Sequence, residues 1–173
     1  MKRITWDDVD VLEATLATQG FHVRYKDESR AQRLLAALLR PFNRDYLTRY
    51  TTVMFGRIWF PSRAWRKAMG AEAIWATLRH EAVHVADMRR FPVFFQLSYA
   101  LLLPAGLTMR AFWEWRGYTE TLRAHFEVHG AIDDALLDEI AERFTGPDYL
   151  YMLPFPGLVR RRLDVLRQRI IDG

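Results

Sequence analysis

Five consecutive residues carry the chemistry of this chain: His80-Glu81-Ala82-Val83-His84. Residues at i and i+4 stack on one face of an α-helix, so two imidazoles at that spacing can grip a single metal ion. Glu81 directly follows the first histidine, where its carboxylate can reach a water held by that ion. Zinc lowers the pKa of a bound water to about 7, and a carboxylate can then take its proton. The pattern is that of a hydrolytic centre in outline. It is also short, and the competing explanation is a surface helix that carries the same three residues by chance.

The flanking residues favour the metal. Residues 71–90 contain neither Pro nor Gly, with Gly70 just ahead, and Ala, Leu, Glu, Met and Arg, good helix formers, dominate them. Ile74, Leu78 and Val85 recur at helical spacing and mark a buried stripe. Phe91-Pro92 ends the run. A histidine pair amid such a helix is costly to bury unless something satisfies it. A metal ion does so.

A catalytic zinc usually has three protein ligands. The remaining candidates are Glu114, Glu120, His125, His129 and Asp87. The metzincin continuation needs Gly at 87 and His at 90; Asp87 and Arg90 exclude it. Met109 to Val128 reads as one helix, so the choice is angular. At about 100° per residue, Tyr118, Thr121 and His125 fall within roughly 40° of Glu114, and Glu120 lies about 240° away. His125 sits about 16 Å further along a straight helix, too far to share an ion with Glu114. Only one of the two glutamates can therefore face the metal with Tyr118 and His125 beside it, and we take Glu114 as the expected third ligand. The alternative for it is a surface carboxylate paired with Arg110 or Tyr118 one turn away.

His80-Glu81-x-x-His84, followed by Glu114-Trp115-Arg116-Gly117-Tyr118 on a second helix, resembles the gluzincin arrangement of zinc metallopeptidases. More narrowly it resembles the compact minigluzincins and the prenyl-protein peptidase group, where a glutamate in an E-x-x-A-D-like segment is the third ligand. The resemblance implies one Zn2+ per chain on His80, His84 and Glu114, with Glu81 as the base. Gly117 takes the place of a small alanine that lets two helices pack closely. Tyr118 departs from the family's Asp, which supports a first-helix histidine; Asp87 or a backbone carbonyl could serve instead. The resemblance covers about residues 50–124, and the flanking thirds carry none. It implies a zincin-like α+β fold, mainly helical, with a small sheet over the helix that holds the motif. The sheet's edge strand, for which Tyr50 to Phe60 is the candidate, would pair with an extended peptide.

Three functions compete. One is a zinc-dependent peptidase acting on a peptide or protein by a metal-activated water. The second is a catalytically silent zincin-fold binding or scaffold domain. The third is a membrane-associated peptidase. Glu81 favours the first over the second, because a structural site needs no base, and structural zinc is normally closed by four protein ligands. Tyr118 is the catalytic candidate for stabilising an oxyanion; Tyr99 and His125 also qualify, and spacing does not separate the three.

Composition bounds the rest. At 173 residues the chain is read as one domain, 1–173, with its own core. It has no cysteine, which removes thiolate zinc sites and disulfides and leaves His and carboxylate as metal ligands. The net charge of +4 comes almost wholly from Arg, with Lys only at 2, 26 and 67. We read this as the habit of a GC-rich bacterial genome. The longest basic run, Arg160-Arg161-Arg162, and the lack of any nucleic-acid motif argue against a nucleic-acid partner. The N-terminus has charges where a signal peptide needs an apolar core, which predicts a cytoplasmic protein.

Around the motif the expected elements are a helix capped by Thr5 and closed at Gly20, a strand over Phe21–Tyr25, and a helix over Ser29–Leu39. Tyr50–Phe60 is a long strand bulged at Gly56, or two strands. After Pro61-Ser62 comes a short helix, and after Met109–Val128 come helices over Ala131–Phe144 and Leu158–Ile171. Phe91 to Met109 is uncharged over nineteen positions, close to a membrane span in length. Pro92, Pro104, Gly106, Gln96 and Ser98 favour a buried helix and loop under the motif helix over a segment that dips into a membrane.

Overall fold

The computed structural model describes residues 2–41, 43–100, 104–147 and 151–173, and only the backbone of 99–100 and 104–108. Among these residues helices dominate, and a three-stranded sheet completes an α+β fold. The chain forms two compact units, Ile4–Val85 and Ala86–Gly173, the latter including the N-terminal residues to Arg3.

In the first unit, Thr5 starts α1 (Trp6–Thr18) through a reciprocal capping box with Asp8. The strand β1 (His22–Tyr25) follows, and Ser29 caps α2 (Arg30–Leu39). Residues 50–60 resolve into two strands, β2 (Thr52–Met54) and β3 (Arg57–Phe60). They are joined by Phe55 and Gly56, with φ of 51° and 72°. Positive φ at both turn positions lets a two-residue hairpin follow the strand twist, so Gly56 is a turn residue and not a bulge. The sheet order is β1-β3-β2, parallel between β1 and β3 and antiparallel between β2 and β3. Ile58 and Phe60 of the central strand are fully buried. Ser62 caps α3 (Arg63–Met69), whose Arg66 reaches Glu13 of α1 at 2.7 Å. Gly70, at φ 83°, turns the chain into α4 (Ala71–Arg90), on which Ile74, Leu78 and Val85 are buried as the pattern predicts.

The second unit contains α5 (Pro92–Ala100), α6 (Pro104–His129), α7 (Asp134–Thr145) and α8 (Pro156–Asp172). Leu122, Leu137, Ile140, Phe144, Val159 and Leu163 form the core where α6, α7 and α8 meet. Asp134 binds both Arg160 and Arg167, tying α7 to α8 at the surface. α7 starts later than the pattern suggests because Asp133 is its cap, accepting from the Leu136 amide at 2.8 Å. Pro92 closes α4 and also opens α5, since a first helical position needs no amide proton.

The apolar stretch differs from the sequence expectation. α5 lies against α6, burying Phe95 and Ser98, but Val93 is 64% exposed and Phe94 62%. Among the described residues no helix is long and apolar enough to cross a membrane.

Candidate metal centre

α4 presents His80, Glu81 and His84 as its periodicity requires. The two imidazoles meet edge to face, and their Nε2 atoms are 2.9 Å apart. Two nitrogens at ordinary bond lengths from one tetrahedral zinc stand about 3.3 Å apart, so the rings need only a small parting to share an ion. α6 runs unbroken through Gly117 and supplies Glu114. One ligand atom from each of His80, His84 and Glu114 lies within 4.8 Å of the others. His84 and Glu114 are each 4% exposed. Two imidazoles and a carboxylate, all compatible with a borderline-soft divalent ion, make a donor set that could hold a metal.

The other candidates stay outside this group. Glu120 faces elsewhere on α6 and pairs with Arg123 at 3.6 Å. His125 packs against His129, the two rings tilted at 43° with centroids 4.2 Å apart. Tyr118 is half-buried, its ring 5.6 Å from Phe144 at the edge of the α6–α7–α8 core. The side chain of Tyr99 lies outside the described residues. Asp87 is buried and accepts from Arg116 Nε at 2.9 Å, so its carboxylate is held by a guanidinium.

Glu81 is also buried, at 7% exposure. Its Oε1 accepts from Thr51 Oγ1 at 2.5 Å. This bond joins the residue just ahead of the edge strand β2 to the motif helix. Behind it lies a polar network that sequence reasoning did not find. Lys26 is fully buried, and its Nζ donates to the carbonyls of Tyr46 and Tyr50 at 2.8 and 2.7 Å. The amine sits 3.9 Å from the Tyr46 ring centre, and the Tyr46 hydroxyl donates to buried Gln32 at 2.6 Å. Lys26 thus fixes the segment that ends in Thr51. No known protein family, curated protein or solved structure matches the chain. The reading of the centre therefore rests on its own residues.

Burial pushes the Lys26 amine down to about 7, against a smaller opposing pull from the Glu81 carboxylate. An unfolded lysine keeps its proton to about 10.5. Between these values the unfolded chain binds more protons, so this group's contribution to stability rises with pH. Lys26→Met removes that dependence and strips both carbonyls of their donor. The parent's stability advantage over Lys26→Met should therefore grow between pH 7 and 9.5, by up to about 1.4 kcal/mol per unit. Urea unfolding of both proteins across that range measures it. A gap that stays constant would mean that Lys26 titrates as an ordinary exposed lysine.

Proposed function

We propose that the chain is a zinc-dependent peptidase of the gluzincin kind, acting on peptide or protein substrates. The observation that supports it most is the convergence of His80, His84 and Glu114 with Glu81 one residue away on the same helix. Among the described residues the group has three donors, which matches a catalytic zinc with one position left open better than a structural zinc closed by four. When bound, zinc would supply Lewis acidity that brings a water's pKa near 7 and polarises a carbonyl.

The chain's own residues would do the rest. Thr51 occupies Oε1 of Glu81, which orients the carboxylate and leaves Oε2 to accept the proton of the attacking water. Burial of Glu81 limits competing solvent. The edge strand β2 starts one residue after Thr51. In a two-residue hairpin the residues flanking the turn are the hydrogen-bonded pair, so the next residue, Val53, directs its amide and carbonyl outward. Those groups can hold an extended peptide by main-chain pairing.

The test uses a peptide library read by mass spectrometry. We expect cleavage by zinc-loaded protein, its loss after chelation, and its return with one equivalent of zinc per chain. Cleavage that survives complete metal removal would overturn the reading. Binding of zinc with no cleavage of any peptide would replace it with a silent binding domain.

A further inference from the structure

The face of α5 is the least expected surface of the molecule. Phe91, Val93, Phe94, Leu97 and, from α6, Phe112 are between 40% and 64% exposed. Val93, Phe94 and Leu97 share one face of α5 by helical spacing, and the rings of Phe91 and Phe112 both lie against the buried Trp113, centroids 5.8 and 4.9 Å away. Trp113 in turn donates to Ser98 Oγ at 3.1 Å, which anchors α5 and leaves its outer side apolar. Exposed apolar residues scattered singly need no explanation, but a joined aromatic and aliphatic patch marks a contact surface.

Charge identifies the partner. Residues 86–117 carry two carboxylates, Asp87 and Glu114, and both are buried. Arg89 and Arg90 in the same stretch are exposed, and the Arg90 guanidinium lies 5.5 Å from the Phe91 ring centre. The charge that this stretch itself presents to solvent is therefore positive. A helix with Phe and Leu on one side and arginines at its margin suits the boundary between lipid headgroups and acyl chains. A second copy of the same face would bring like charges together, which disfavours self-association.

We propose that this face docks on an anionic lipid surface, with Val93, Phe94 and Leu97 entering below the headgroups and Arg89 and Arg90 on the lipid phosphates. The segment lies on the surface and does not span it. The docking does not depend on peptidase activity, and its readout is independent of the metal.

The experiment is co-sedimentation of the full chain with phosphatidylcholine vesicles, with and without phosphatidylserine, alongside sedimentation velocity of the protein alone. We expect binding that requires phosphatidylserine and weakens with salt. Arg89→Gln with Arg90→Gln should lower the affinity roughly twenty-five-fold, two steps of about fivefold. Val93→Asp with Phe94→Asp should lower it by more than about tenfold, with an unchanged thermal melt, since both side chains are exposed. Failure to bind either vesicle, or binding indifferent to the Val93 and Phe94 changes, would overturn the proposal. So would a dimer in solution that the same two changes dissociate, which would assign the face to a second copy of the chain.

Discussion

Glu81→Gln should keep its metal and lose roughly two to four orders of magnitude in peptide hydrolysis, the usual worth of a positioned base. Glutamine has almost the shape of glutamate, and its amide oxygen can still accept from the Thr51 hydroxyl that now meets Oε1. What it lacks is a basic oxygen. The proposed ligands His80, His84 and Glu114 are untouched, so zinc content should match the parent. The loss should fall on kcat, because the proton transfer occurs in the chemical step and not in substrate binding. Rates and elemental analysis of the same preparations separate the alternatives. A variant as active as the parent would remove Glu81 from the mechanism, and with it the main reason to prefer an enzyme over a binding domain.

The parts of this centre that are local in sequence are the parts that could be read from it. His80 and His84 share a face because the helical repeat fixes it, whatever surrounds the helix. Glu114 against Glu120 is likewise a question of phase along one helix: the six-residue separation means that only one of them can face the histidines. The network behind Glu81 is different. Lys26, Tyr46 and Thr51 meet through the packing of β1, the segment after α2 and α4, and no short-range pattern encodes that. The one available clue was compositional. In a chain where arginine is the default cation a lysine stands out, but Lys2 and Lys67 are exposed, so residue type alone does not single out a place where a compact ammonium fits and a planar guanidinium does not. Lys26, wedged between two carbonyls, is such a place.

The 91–109 stretch shows the opposite limit. Its apolar content reads as burial because hydrophobic residues usually go inside. Yet a helix that starts at Pro92 and rests on α6 through Phe95 and Ser98 has only one side to bury. The hairpin turn was legible only as an ambiguity: Gly56 marks a departure from regular strand, but a bulge and a turn both use it. The positive φ of the preceding Phe55, uncommon for a residue with a side chain, decides for the turn.

Replacing a ligand should have a larger effect on metal binding than any other change in this chain. His84→Ala removes one of two α4 donors, and Glu114→Ala removes the single carboxylate of the group. Residues that merely support a ligand cost 10–100-fold in affinity when changed, so loss of a direct ligand should exceed roughly a hundredfold. Glu120→Ala is the matched control. It takes the same side chain from the same helix, breaks an ion pair with Arg123, and should leave zinc affinity unchanged. Alanine favours helix at all three positions, so a shared loss of fold would not explain a difference among them; circular dichroism checks this directly. Competition against a chelator of known affinity gives the three constants. Metal retained in full by both His84→Ala and Glu114→Ala would place the ion elsewhere. Loss confined to Glu120→Ala would mean that the metal draws its carboxylate from the other face of α6, and that the convergence of Glu114 with the two histidines is a feature of packing alone.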